Sequence, residues 1–357
     1  MIIKTQISRT AVRADFLLLL TAAIWGFGFV AQRSGMEYVG PFAFNGIRFI
    51  LGSLSLLPFI FFRRNRAKGS FINPRRLILP SLAAGSCLFT AVMLQQFGII
   101  FTTAGNAGFI TGLYVVLTPV FGIFIGRKTG IPTWIGSAFT LTGLYFIAGS
   151  PGVVNPGDII IVVSAFFWTA HVLLIDRLIN NANKKETIIE PQPDLNADER
   201  SGGDSPLDPL ELSAGQFAVC GIFSLIGAFA AEPFIGPAMR RIDPSLLSAG
   251  LFAWKPFLQL IYAVGDGTIL ISFNALVPIL YGGLGSVGIA YTLQVVAQRD
   301  APPAHATIIL CFEGCFAALG GALLLAERFG AWTLLGFVLM LAGMLVTQWD
   351  VILGRKH

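Results

Sequence analysis

Ten apolar runs, each near the ~20 residues that a helix needs to cross a bilayer, fall at residues 15–33, 42–62, 77–99, 104–126, 131–149, 158–179, 212–231, 275–297, 304–325 and 331–349. Inside hydrocarbon every backbone N–H and C=O has to be paired within the chain, so runs of this length read as helices. A chain of 357 residues has room for two soluble domains, but 55% hydrophobic against 12% charged residues, with mean hydropathy +0.75, points elsewhere. The fold class expected is an all-α integral membrane protein with ten transmembrane helices. The first run follows Lys4, Arg9 and Arg13 as a secretory leader would. It has a counterpart later in the chain, so it reads as a retained span.

The basic residues sort by side. With a cytoplasmic N-terminus, 18 of the 24 Lys and Arg fall on cytoplasmic segments, among them Arg63, Arg64, Arg66, Lys68, Arg75 and Arg76 between the second and third runs. Five fall outside (Arg33, Arg240, Arg241, Lys255, Arg328), and Arg48 lies within the second run. This asymmetry places both termini in the cytoplasm of a multi-pass cell-membrane protein. The net charge of +5 therefore reports topology and not nucleic-acid binding, which needs a basic face on a soluble domain. The four cysteines all sit in apolar runs. They support neither a disulfide framework nor a zinc site, and Cys311 with Cys315 reads as a packing pair. No cofactor is called for.

The chain also repeats itself. "IWGF" (24–27) answers "FWTA" (167–170), pairing Trp25 with Trp168. "GPFAFNGIRF" (40–49) answers "DPLELSAGQF" (208–217), pairing Arg48 with Gln216. "MLQQFGIIFTTAGNAGFI" (93–110) answers "TLQVVAQRDAPPAHATII" (292–309), pairing Gln95 with Gln294 and Asn106 with His305, and Gly143 aligns with Gly343. Two halves follow, residues 1–150 and 151–357. The second carries an acidic, disorder-prone cytoplasmic loop near 180–211 and an extended external loop near 232–274. With five spans per half, an odd number, equivalent helices run in opposite directions, the inverted arrangement of many secondary transporters.

Polar groups at depth are the candidate functional residues. Glu313, within the ninth run, is either a structural carboxylate or a coupling group that exchanges a proton when a cavity opens to water. Arg48 cannot deprotonate and needs an acceptor. Glu313, a helix-end carbonyl and a substrate carboxylate are the options, beside a tethering ion pair or snorkelling to the outer interface. Gln95, Gln96 and Gln294 either line a polar cavity or bridge helices. Tyr114 is the repeat partner of Glu313. His171 is a proton-sensitive group or a packing residue, and Trp25 and Trp168 either flank a substrate or pack. Asn106 and His305 near span ends have capping as an alternative. Gly108 with Gly112, and Gly282, Gly285 and Gly288, give faces where backbones approach.

The segments "TAAIWGFGFVAQRSG", "GPFAFNGIRFILGSLSLLP", "TTAGNAGFITGLYVVLTPVFG" and "APPAHATIILCFEGCFAALGGALLLAERFGAWTLLGFVLMLAGMLV" resemble the drug/metabolite transporter superfamily, in particular its EamA-type ten-helix members. The likeness covers nearly all of the chain apart from the two insertions. It implies two inverted five-helix halves, a central substrate cavity and export of small metabolites. No Walker A loop is present, so an ion or substrate gradient is the expected energy source, with protons the coupling ion to test first. The expected partners are a small amphipathic metabolite, such as an amino acid or related compound, and the lipid bilayer. An uptake permease or a facilitative channel of the same fold is the alternative. An intramembrane enzyme is not expected, since HExxH, GxSxG and carboxylate pairs are missing from the spans. Cysteines placed at the ends of the first and sixth runs should label from opposite sides in a membrane-impermeant maleimide assay. Parallel passes would remove the inverted repeat.

Overall fold

The computed structural model describes residues 9–67, 74–125, 130–147, 155–188, 207–231, 273–297, 309–310 and 312–347. Among them only helices and turns occur. Helix α1 spans Arg9–Gly35, α2 Pro41–Ala67, α3 Pro74–Phe101, α4 Ala104–Thr111 and α5 Leu113–Gly122, and a 3₁₀ turn covers Ile123–Ile125. Helix α6 spans Ile131–Ile147, α7 Pro156–Ile188 and α8 Pro209–Ala230. After these come α9 (Phe273–Leu280), a π-helical segment (Tyr281–Ala290), α10 (Tyr291–Ala297), α11 (Glu313–Leu324) and α12 (Ala331–Thr347). Seven helical stretches among the described residues are long and apolar enough to cross a membrane, and α11 and the Ala331–Val346 stretch of α12 are shorter apolar helices. Large apolar side chains such as Phe16, Leu79, Phe124, Trp134 and Val338 are exposed on the outside, as a lipid-facing surface requires. The protein is a multi-pass membrane protein.

Helix α7 continues to Ile188, so the first part of the loop expected at 180–211 is helical. Most of that loop, most of the segment expected at 232–274, and both His305 and Cys311 lie outside the described residues.

Lipid tails are as apolar as leucine, so helices in a membrane associate through close packing and hydrogen bonds rather than through hydrophobic exclusion. The main packing pairs are α2 with α8, α3 with α7 and α8, α1 with the π segment, α10 and α11, α2 with the π segment, α4 with α11 and α7, and α6 with α12. Exchanging each helix for its sequence counterpart returns essentially the same set. The α6–α12 crossing repeats the pattern atom by atom. A Cβ at Gly143 would lie 2.6 Å from the Gly336 carbonyl oxygen and 2.7 Å from the Met340 nitrogen, and one at Gly343 would lie 2.6 Å from the Gly136 carbonyl and 2.7 Å from the Thr140 nitrogen. Each glycine thus lets backbone meet backbone. Phe109 stacks on Phe337 beside this crossing, with ring centroids 4.1 Å apart.

Two other glycine readings change. Gly108 packs on α11, with the Gly314 Cα 3.3 Å from its Cβ position, while Gly112 faces Met344 of α12, so the pair serves two different helices. In the π segment, Gly282 and Gly288 meet Arg48 and Ser55 of α2, but Gly285 meets only Tyr281 at 3.9 Å. The third close approach is made by Gly283, 3.1 Å from the Arg48 carbonyl. The wider π turn shifts the facing register away from the 3.6-residue period.

Helices α4 and α5 meet at Gly112, which keeps right-handed helical angles and still donates its N–H to the Gly108 carbonyl, so Ala104–Gly122 runs as one apolar span. Glu313 is the first residue of α11, after Phe312, whose backbone angles lie in the same helical region. Gly314 beside it weakens continuous helix, and a carboxylate in a first turn is favoured by the helix dipole.

Valine at Gly143 or at Gly343 should destabilise the protein by about 1–3 kcal/mol through overpacking. Thermal unfolding in detergent should show both variants lowered by similar amounts, and serine at the same positions should cost less.

Candidate functional site

Arg48 lies on α2, where its stem runs along Gly282 of the π segment, with Cδ 3.3 Å from the glycine's Cβ position. A larger residue at 282 would displace it. The side chain is only 3% exposed, and its guanidinium carbon lies 4.8 Å from the Phe49 ring centroid and 5.5 Å from that of Phe44. These ring faces supply cation–π attraction, yet among the described residues no carboxylate pairs with it, and its buried Nε has no hydrogen-bond partner. Of the expected acceptors, Glu313 is therefore not the one in place. Snorkelling does not describe so buried a side chain either.

The aromatic wall continues across α8. Phe49 lies 5.8 Å from Phe217, which meets Tyr291 of α10 edge-on at 5.2 Å. Next to Phe217, the buried Gln216 contacts His171 of α7, Oε1 to Nε2, at 2.7 Å. His171 in turn meets the Trp168 ring at 5.9 Å. The contact uses one end of the Gln216 amide and leaves the other end unpartnered and buried. The Trp168 Nε1 is also buried without a partner. Phe49, Phe217 and Cys220 form one buried cluster with Leu88 and Val92 of α3, and Trp168 and Tyr291 pack against it. The structure thus gathers Arg48, Gln216, His171 and Trp168 around a single aromatic cluster.

The other candidates lie apart from that group. Trp25, the repeat partner of Trp168, donates its Nε1 hydrogen to the Ser286 carbonyl at 2.9 Å, and nearby Tyr281 donates to the Ile24 carbonyl at 2.9 Å. Gln95 bridges to Thr111 just before the α4–α5 junction, Nε2 to Oγ1 2.9 Å. Gln96 donates to the Gln32 carbonyl at 3.4 Å. Both amides act as helix bridges, while Gln294 is half-buried on α10. Tyr114 is half-buried against the large core. Glu313 is 5% exposed and packs under α1, where Gly26 lies against its carbonyl. No described side chain pairs with its carboxyl group.

One carboxylate outside the spans escaped the sequence reading. Glu327, between α11 and α12, accepts hydrogen bonds from the backbone N–H groups of Ala104 (2.6 Å) and Gly105 (3.2 Å), while the Thr103 hydroxyl caps Asn106 N–H at 3.0 Å. Together they satisfy the first turn of α4, which would otherwise leave orphan donors. Burial pushes the Glu327 carboxyl above the ordinary glutamate range, opposed by the two N–H groups and by Arg33. Close by, Thr102 donates to Asp158 at 2.5 Å and Asn155 to the Phe101 carbonyl at 2.8 Å. The start of α4 is therefore fastened to both neighbouring loops. "TTAGN" could have marked a helix cap, but nothing local names its distant carboxylate. At the opposite end of the bundle, Arg63 pairs with Asp208 at 2.8 Å as Asp208 caps α8.

Comparison with known proteins gives a consistent picture. The model of the EamA-like transporter family matches residues 12–149 and 234–349. An uncharacterized transporter of Archaeoglobus fulgidus is 32% identical over 171 residues, covering 48% of this chain and 51% of its own. The uncharacterized inner membrane transporter YedA of Escherichia coli K12 is 27% identical over 149 residues, 41% of this chain and 47% of its own. These matches span about half the length of each relative. A protein of known crystal structure shares the fold, with TM-score 0.58 over 94% of this chain and 97% of its own at 15% identity.

Replacing Glu327 by alanine should lower thermal stability by about 1–2 kcal/mol, the usual cost of a lost N-cap, and glutamine should restore part of it. Detergent-solubilised protein measured by thermal shift is sufficient for the comparison.

Proposed function

Because the chain belongs to the EamA-like transporter family, we propose that it is a secondary transporter which exports small amphipathic metabolites, amino acids or related compounds, across the cytoplasmic membrane by alternating access. Its family is one of transporters, which sets it apart from enzymes. The proposed topology has ten spans in two inverted five-helix halves, residues 1–150 and 151–357, with both termini cytoplasmic. Three observations support it: the exchange-invariant set of packing pairs, the twice-made glycine crossing of α6 and α12, and a family match in two separate blocks.

The observation that supports the transport mechanism is the packing of α4 on α11 with a buried carboxyl, Glu313, at the first residue of α11. Ionisable groups at membrane depth mark substrate and ion pathways. Glu313 is the proton-exchanging group in this reading. A proton crossing 100 mV supplies ~2.3 kcal/mol, enough to support a substantial concentration ratio. Export is the direction that the family resemblance favours.

Proteoliposomes supply the test. Glu313→Gln should abolish flux driven by a pH gradient for a labelled amino acid selected by thermal shift, while leaving counterflow of the same compound intact. Undiminished gradient-driven flux defeats the coupling role alone. Loss of saturable counterflow in the unmodified protein points to a channel, and net uptake with the gradient reverses the assigned direction.

A further inference from the structure

Burying a cation without a partner is costly, and removing one partner of a buried charge typically leaves an expensive orphan. Arg48 is in that position at 97% burial, its Nε unpartnered and its guanidinium set against the rings of Phe44 and Phe49 with no carboxylate beside it among the described residues. Trp168 packs against the same Phe49–Phe217 cluster, and its Nε1 is a second buried donor without an acceptor. Neither donor can be reassigned by turning the group over, since arginine and tryptophan have no acceptor atoms. Gln216 contributes a third unpartnered polar atom to the same cluster, whichever tautomer His171 adopts.

We propose that this group of residues is the recognition site for a carboxylate carried by the substrate, with Arg48 as its counter-ion and Trp168 as a neutral donor. The proposal rests on the transporter reading above and narrows its substrate class to compounds with one acidic group on an apolar body. An acceptor-only anion is what unpaired donors select, and the planar fork of Arg48 fits a carboxylate through two parallel hydrogen bonds. A single charge is favoured over a phosphate dianion. Arg48 is the one buried lysine or arginine among the described residues, so a second negative charge would enter a low-dielectric interior without a counter-ion. Phe44, Phe49, Phe217 and Tyr291 offer the substrate's apolar part ring faces and edges.

The asymmetry of the two repeats agrees with this assignment. The equivalent indole in the first half, Trp25, spends its N–H on the Ser286 carbonyl. The one in the second half keeps its N–H free, on the side where the cation's partner position, Gln216, is also left with an open polar atom. Apart from the Ser81 hydroxyl, the buried unpartnered donors among the described residues thus lie around the Phe49–Phe217 cluster.

The test uses the full-length protein in detergent and in proteoliposomes with two matched probe sets: L-leucine, 4-methylpentanoate and isoamylamine; and L-phenylalanine, 3-phenylpropanoate and phenethylamine. In each set the two carboxylates should bind by thermal shift and exchange in counterflow. The amine should bind roughly 10- to 100-fold more weakly, the range for losing a hydrogen bond to a charged group. Arg48→Met should erase that preference, Arg48→Lys should keep part of it, and Trp168→Phe should weaken the carboxylates several-fold at unchanged melting temperature. The Lys and Phe variants carry the test if Arg48→Met does not fold. Equal binding of amine and acid, a preference that survives in Arg48→Met, a preference undiminished in both Arg48→Lys and Trp168→Phe, or no binding by any of the four carboxylates overturns the site. Binding with that preference but without counterflow defeats the transporter reading and leaves the site standing.

Discussion

Water is the partner of last resort for a polar group in a soluble protein, and a bilayer withholds it. Each backbone amide, amide side chain and charge within the spans has to find its partner in the chain itself. The structure obeys this closely along the helices and at their ends. Thr103 and Glu327 cover the first turn of α4, Asp208 covers that of α8, and Gln95, Gln96 and Trp25 each reach a neighbouring helix. The departures stand out for the same reason. Single oxygens of Gln32, Asn45, Gln96 and Asn106 and the Ser81 hydroxyl are scattered departures, whereas Arg48 Nε, Trp168 Nε1 and one end of Gln216 are unmatched around a single aromatic cluster.

Glycine provides the second constraint. Because hydrophobic exclusion does not hold helices together in lipid, contact area and close approach have to do so. Gly26 under the Glu313 carbonyl, Gly143 on Gly336 and Gly343 on Gly136 are places where a methyl group would meet backbone. The last two form one reciprocal crossing of α6 with α12, each glycine meeting the backbone of the other helix.

Much of the architecture was legible because hydropathy and charge asymmetry act over whole segments. Among the described residues the helices overlap the apolar runs, and seven of the helical stretches are long and apolar enough to span. What escaped was local. The π segment displaced one glycine contact from Gly285 to Gly283, since spacing arguments assume a 3.6-residue period. Glu313 was one of the expected acceptors for Arg48, yet pairing depends on which faces two helices present, and the two side chains do not pair. His171 and Gln216 were separate candidates in sequence and form one contact in space. Glu327 was overlooked because a carboxylate just past a span reads as solvated until a distant helix end is seen to rest on it.

Divergence between the two indoles has a wider meaning for a doubled fold. Trp25 is closed off by a carbonyl on the π segment, whereas Trp168 ends in an unspent donor. On the proposed two-half arrangement, a guest resting between the two indoles would meet unlike walls, and such a chain would tell its head from its tail.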